Sequence, residues 1–455
     1  MSEHIRRSWA ASRCFRVLLT IAVVYVALRL AAHAVYLITL LAPETLPGWV
    51  GATEPMVPVD LQAYLDAAAN FAQRQPLYHA GAIDQLEGLY QYSPAFALAF
   101  IPFLRLSPVG VAIIHTTLHI LAYAALFILW YGIFRRLELW RAADMMILTL
   151  PVWLIFSAFW SDLGYLNVYI IMALLATLLI DAVLQERLGL AVLWVTVIIA
   201  IKPMWAFAAA VPLFSGSRKF FWKLAILVIL AQVIVVFSVM LSGGMVYTGQ
   251  QYAQYLRFLA QLGREFPWRG PESGFLGYNH SIRQTVLFIL GSTSTTWWLA
   301  TAIKWIILAP LIVILARSLR HKGLVARIER LELVFLLYLG VFIWLDMVWE
   351  ASLGIAVFVY LLSTEHSRVG RALIWGTFIP YTLIDFWQLA SYLALGEAAM
   401  VPGPYFITDP SIYLPIVMLV ILLFYVILVG RHMTDQQKAR KKCDHLLDAR
   451  QSQLT

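Results

Sequence analysis

Long apolar runs alternate with short polar breaks along this chain, and only two polar stretches are long. A spanning helix needs about 20 mostly apolar residues, and the first such run, 17–41, follows Arg6, Arg7, Arg13 and Arg16. It lacks the short apolar core and small-residue cleavage site of a secretory signal. It therefore predicts a retained first span with the N-terminus cytoplasmic. Residues 42–93 carry Glu44, Glu54, Asp60, Asp66, Asp84 and Glu87 against the single Arg74, as expected of an external loop. Pro102, Ser107 and Pro108 divide the next apolar stretch. If both pieces crossed, Arg135, Arg136 and Arg141 would fall outside, against the positive-inside tendency. So 94–106 predicts a short external or half-inserted helix, and 108–134 the second span.

Further spans are expected at about 143–160, 165–184, 188–201, 203–214, 222–241, 296–316, 331–349, 351–362, 372–395 and 411–430. Basic turns alternate with them at Arg187, at Arg218, Lys219 and Lys223, at Arg317 to Arg330, and at Arg368 and Arg371. The expected fold is an all-α polytopic membrane protein of about twelve transmembrane helices, one integral domain over 1–455. Large external loops at 42–107 and 242–295 would bear short interfacial helices, and 431–455 would be a basic cytoplasmic tail. No fixed-period repeat is visible, nor any likeness between the two halves of the kind many transporters show.

Composition agrees: 62% of the 455 residues are hydrophobic and 13% charged, and the mean hydropathy is +0.78. Soluble domains carry about 25% charged residues, so an ordinary soluble enzyme, a disordered chain and a disulfide scaffold are excluded together. The net charge of +8 would point to nucleic acid in a soluble chain. Here 24 of the 33 Lys and Arg fall on expected cytoplasmic segments, so most of the excess orients the chain. A bilayer is the implied partner, and nucleic acid is not. Cys14 and Cys443 are the only cysteines, which leaves no disulfide framework and no thiolate metal cluster.

The long external loops are where chemistry is expected, since long loops in compact proteins are usually functional or disordered. In the first, Leu61, Tyr64, Leu65, Ala68 and Phe71 recur at helical spacing, predicting an amphipathic helix at the membrane surface. Asp60 falls at its N-cap, where a carboxylate accepts from first-turn amides. The alternative is a catalytic carboxylate at the bilayer boundary, and the two roles are compatible. Tyr90, Tyr92 and the neighbouring Ser93 and Pro94 fit an aromatic belt where the chain re-enters lipid. Lys202 sits at an external turn, against the charge rule; it would either snorkel to head groups or clamp a phosphate as a point charge. Asp162 and Asn167 lie on the same side, and the second loop adds Arg257, Arg264, Arg269 and Arg283 around Asn279 and Ser281. Acids early and cations late would either dock the loops or give one site a base and a phosphate binder. Arg29, His33, Lys304, Asp346, Glu350 and Asp385 are ionisable residues in or at the ends of spans, functional candidates by default. His115 and His119 are four apart but lack a nearby carboxylate motif, so neither a metal nor another cofactor is expected.

These segments together resemble the polyprenol-phosphate-mannose-dependent mannosyltransferases of glycosyltransferase family 87, which share the type-C glycosyltransferase membrane fold. The resemblance runs over about 15–290. It rests on Asp60-Leu61-Gln62-Ala63-Tyr64 with Pro76-Leu77-Tyr78, on Tyr92-Ser93-Pro94, on Gly164 and Asn167, on Lys202-Pro203, and on Asn279, Ser281 and Arg283. It implies Asp60 as the catalytic base. Lys202, with Arg283 or Arg257, would hold the donor phosphate, and Tyr64, Tyr78, Tyr92, Asp162, Asn167, Asn279, Ser281 and Glu350 would contact substrates. It also implies an external active site in the cell inner (plasma) membrane and an inverting transfer of a sugar, mannose first, from a polyprenyl phosphate donor to a lipid-linked or envelope glycan acceptor. Two departures stand out: the family's Gly-Gln-x-Asn is here Gly164-Tyr165-Leu166-Asn167, and its Trp followed by His is here Trp349-Glu350-Ala351-Ser352. A transporter or lipid flippase, with determinants in broken helices at mid-membrane, and a non-catalytic lipid-binding homologue are the rival readings.

Overall fold

The computed structural model describes residues 1–42, 44, 55–79, 90–273, 279–320, 327–348, 352–395 and 416–433. All regular structure among them is helical. Five helices are long and apolar enough to cross a membrane: Arg13–Leu41, Pro108–Arg136, Arg218–Gly243, Ser294–Arg320 and Ile416–Met433. Trp140–Leu148 and Leu150–Tyr165 form a sixth candidate, bent by 56°. The break has a local cause, since Pro151 lacks the amide hydrogen that would continue the helix. Thr149, at the corner, turns its hydroxyl back to the carbonyl of Met145 at 2.7 Å.

The other expected spans are helices too, but they are short or interrupted. Tyr169–Leu184, Leu188–Ile201, Pro203–Phe214 and Gly354–Thr364 have 10–17 residues. Arg327–Trp344 opens with two arginines and two glutamates, and Arg368–Leu395 carries Pro380 and Asp385 within it. At about 1.5 Å per residue, the eleven residues of Gly354–Thr364 reach only about half of a ~30 Å hydrocarbon layer. Nearly all its side chains are buried by neighbouring helices. By contrast, Arg218–Gly243 exposes Ile226, Ile229, Leu230, Val233, Ile234, Phe237 and Leu241, a wide apolar face suited to lipid.

Helix starts follow their capping residues. Ser12 accepts from the Phe15 amide at 3.2 Å, and Ser107 accepts from that of Gly110 at 3.2 Å with Pro108 in the first turn. A buried ion pair ties the first span to the Arg368–Leu395 helix. Arg29 donates from Nε to Asp385 Oδ2 at 2.8 Å and from Nη2 to Oδ1 at 3.1 Å, and Tyr25 donates to the same carboxylate. The two charged side chains are 4% and 9% exposed. Removing one partner of such a pair strands the other charge, at a cost of about 3–5 kcal/mol. Asp385→Ala is therefore expected to lower the thermal unfolding midpoint in detergent sharply, whereas an Arg29→Met/Asp385→Leu double variant should recover most of the loss.

The two long loops dock on each other through aromatic and amide contacts. Met245–Glu265 buries Thr248, Gln251, Tyr255, Phe258 and Leu262 along one face. Gln251 Oε1 accepts the amide of Leu77 at 2.9 Å, Tyr247 donates to the carbonyl of Gln75 at 2.7 Å, and Tyr78 packs against Tyr255 and Phe258. The hinge before this helix needs glycine. Gly244 has φ +94, and a Cβ on Gly243 would come within 2.7 Å of the Phe71 ring from the first loop.

Candidate active site

The amphipathic helix of the first loop runs over Val59–Ala72 and buries Leu61, Ala63, Tyr64, Ala67, Ala68 and Phe71. Asp60 is not its N-cap, a correction to the sequence expectation. Pro58 takes that place with extended backbone, and its carbonyl accepts the amide of Gln62 at 2.9 Å. Asp60 thus falls in the first turn, and its Oδ2 accepts from Asn167 Nδ2 at 2.8 Å.

Asn167 is held from several sides. Leu166, before it, adopts left-handed backbone at φ 50 and closes the Ser157–Tyr165 helix. The Asn167 amide then returns to the carbonyl of Asp162 at 3.1 Å. The Asp162 carboxylate, buried, accepts the amides of Tyr169 at 3.1 Å and Ile170 at 2.9 Å, satisfying first-turn donors of Tyr169–Leu184. His119 places Nε2 against the Asn167 carbonyl and 3.4 Å from Asp162 Oδ2, with Nδ1 2.7 Å from the carbonyl of His115. Asn167 Oδ1 accepts from the Val168 amide at 2.6 Å, Tyr64 at 3.1 Å and Tyr92 at 3.3 Å. With donors converging on its oxygen, the amide must present its NH2 to Asp60.

Lys202 ends the Leu188–Ile201 helix and lies in the break before Pro203, outside both helices. It is 8% exposed. Its ammonium lies over the rings of Tyr169, 3.8 Å from the centroid, and Tyr92, 4.9 Å. Such aromatic faces hold a cation without neutralising it. Ser93 hydrogen-bonds the carbonyl of Ala200, which pins the Tyr92 segment to the same turn. Tyr78 donates to the carbonyl of Tyr92 at 2.6 Å.

Burial dominates the electrostatics of both charges. Asp60 keeps some accessible surface, yet the surrounding protein pushes its carboxyl up to about 6, despite Lys202, whose attraction pulls it down. Desolvation lowers Lys202 to about 8, against the pull of Asp60 and Asp162. The Asn167 hydrogen bond lowers the Asp60 carboxyl, because it favours the charged form. Asn167→Ala is therefore expected to move the acid limb of activity upward from about pH 6, so that the rate falls more at pH 6 than at pH 8. A pH–rate profile of the variant checks this.

A second cluster gathers Asn279, Ser281 and Arg283. Asn279 donates to the carbonyl of Asp346 at 2.8 Å and accepts the amides of Val348 and Ser281, each at 3.0 Å. Ser281 caps the Ile282–Leu290 helix through the amide of Gln284. Arg283 and Lys304 both pair with Asp346. Arg257 lies on the exposed face of Met245–Glu265, and Glu350 falls outside the described residues. A cavity of about 380 Å³ lined by Arg136, Asp181, Gln185 and Arg187 lies at the far end of the Pro108–Arg136 helix from His119 and contains none of these residues.

Three partners were not foreseen: Tyr169 beneath Lys202, His119 behind Asn167, and Asp346 between Arg283 and Lys304. The four-residue spacing of His115 and His119 singles the pair out, but says nothing of the carbonyl that His119 meets.

These features define a polytopic helical membrane protein with a half-buried carboxylate and an aromatic-held lysine. The family model of glycosyltransferase family 87 matches residues 90–347, more than half of the chain, and the chain belongs to that family. It is a membrane glycosyltransferase, with a sugar donor and an acceptor as substrates. The matched stretch holds Tyr92, Asp162, Asn167, Lys202, Asn279, Ser281, Arg283, Lys304 and Asp346, and begins after Asp60, Tyr64 and Tyr78. No match was found among curated proteins or among solved structures.

Proposed function

We propose that this chain transfers a sugar, mannose first among candidates, from a polyprenyl phosphate to a lipid-linked or envelope glycan on the external face of the plasma membrane. The observation that carries the reading is the hydrogen bond of Asp60 to Asn167 beside Lys202, whose ammonium rests on Tyr92 and Tyr169. A carboxylate and an ammonium thus lie near enough to feel each other's charge.

In this reading Asp60 takes the proton of the acceptor hydroxyl as its oxygen attacks the anomeric carbon. The bond from that carbon to the phosphate oxygen breaks, and polyprenyl phosphate departs with the electron pair. A phosphate monoester is a stable anion, so no general acid is needed and one carboxylate suffices; most glycoside hydrolases need two. Lys202 stabilises the charge that grows on the leaving oxygens. A carboxyl near 6 is mostly ionised at neutral pH yet basic enough to accept a proton. Tyr64 and Tyr92, both buried, hold Asn167 through their hydroxyls, and Asn167 keeps the carboxylate aimed. Attack opposite the leaving group inverts the anomeric centre.

The test is transfer by the purified full chain in liposomes, supplied with defined β-linked polyprenyl-phosphate mannose or glucose and extracted envelope lipids. An α-linked product from the mannose donor is expected. A β-linked product, or transfer from a nucleotide sugar without any lipid donor, would overturn the reading.

A further inference from the structure

The proposed chemistry uses Lys202 but leaves a second positive cluster unexplained. Arg283, at the start of Ile282–Leu290, and Lys304, in Ser294–Arg320, both grip the carboxylate of Asp346. Two cations thus share one anion, with side chains 14%, 2% and 27% exposed for Arg283, Lys304 and Asp346. Tryptophans wall the cluster. The Arg283 guanidinium lies 4.6 Å from the Trp297 ring centroid and 5.9 Å from that of Trp268, and the Lys304 ammonium lies 5.3 Å from Trp344. Within these walls Arg283 Nε and Trp268 Nε1 are buried with no hydrogen-bond partner. Buried unpaired donors are costly and rare. A net positive site with spare donors is built for an anion with more oxygens than a carboxylate offers.

The surroundings say what kind of anion. The helices bearing the two cations expose Ile289, Leu290, Trp298, Trp305 and Ile306, a surface for acyl or prenyl chains. The hinge is also visible. Asn279 fixes the backbone carbonyl of Asp346 and the amide of Val348, so only the Asp346 side chain has to move.

We infer that Arg283 and Lys304 form a binding site for the phosphate of a membrane lipid, and that Asp346 occupies its seat when the lipid is absent. The inference rests on the lipid-phosphate donor reading above. A phosphate monoester carries about −1.5 to −2 charges and three acceptor oxygens, enough to meet both cations and take up the idle Arg283 Nε. Arg matches phosphate geometry bidentately, while Lys supplies a point charge. Displaced, Asp346 swings toward solvent from its partly exposed position. The lipid is either polyprenyl phosphate or a phosphate-bearing phospholipid acceptor.

Binding by the full chain in nanodiscs of a zwitterionic lipid tests this, using ligand-induced thermal shift with polyprenyl phosphate, phosphatidic acid, uncharged polyprenol and inorganic phosphate as probes. All are measured in a Lys202→Met background, which removes the other phosphate holder. Asp346→Asn should tighten binding of a lipid phosphate, and Arg283→Gln should weaken it, each by about tenfold, the worth of one charge-assisted hydrogen bond. A gain with polyprenyl phosphate alone assigns the site to donor or product, and a gain with phosphatidic acid alone assigns it to an acceptor. Unchanged or weaker binding in Asp346→Asn, or inorganic phosphate binding as tightly as the lipids, would overturn the inference. Asp346→Asn leaves the buried Lys304 without its carboxylate and is expected to lower the unliganded melting temperature. Binding is therefore read as the shift from each variant's own unliganded curve, and Arg283→Lys replaces Arg283→Gln, with the same expected loss, if the latter fails to fold. Binding that survives while wild type transfers no sugar would sink the enzymatic proposal instead.

Discussion

Asp60→Asn is expected to lower the turnover number by about 10²- to 10⁴-fold, the usual contribution of a positioned general base. The substitution keeps size and shape, and the new side-chain oxygen still accepts the Asn167 amide that now bonds Oδ2. What it loses is the capacity to take a proton. Donor binding should hold or tighten, because Lys202 loses a nearby negative charge that would repel phosphate. The effect should therefore fall on kcat and leave the donor KM within a few-fold, the pattern of an interaction made only in the transition state. Asp60→Glu should be intermediate: it retains a base but displaces it by a methylene from the Asn167 bond. Steady-state transfer kinetics with both variants decide the matter, and an Asn variant turning over at the wild-type rate would remove Asp60 from the mechanism.

The helix that carries Asp60 was legible because its pattern is local. Leu61, Tyr64, Ala68 and Phe71 are buried, as their spacing predicts, and Leu65 is half-buried at the edge of the face. The cap was misread because Pro58 and Asp60 both suit a helix start, and the choice depends on whether the carboxylate has something better to bond. It has Asn167, from more than one hundred positions away. Pairings across the fold leave no such trace. Asp346 looked like one ionisable residue among several, and only packing shows that Lys304 and Arg283 share it. The apolar runs are helical over most of their described residues, but hydropathy cannot tell lipid from protein as the apolar surroundings. Gly354–Thr364 reads as a span and is a short helix covered by its neighbours. Lys202 was conspicuous for the opposite reason: a lone cation between apolar runs on the side where cations are scarce. Its use of Tyr92 and Tyr169 in place of a carboxylate could not be read from the chain order.

Lys202→Met is expected to slow transfer by about 10²- to 10³-fold, comparable to removing one donor that stabilises transition-state charge. The rate should also depend on pH in a way that names both groups. Asp60 must be ionised to accept a proton, so the wild-type rate rises with pH through about 6. Lys202 must be protonated to hold the phosphate, so the rate falls as pH passes about 8. The maximum then lies near pH 7, between the two limbs. Lys202→Arg separates them, since a guanidinium stays charged across this range. Its alkaline limb should disappear while the acid limb remains, at a reduced rate because the planar group does not sit over Tyr169 as the ammonium does. Lys202→Met should lose the alkaline limb as well, and its acid limb should move upward, because the ammonium no longer pulls the Asp60 carboxyl down. A profile that keeps its alkaline fall in Lys202→Arg would place that ionisation elsewhere and take Lys202 out of phosphate binding.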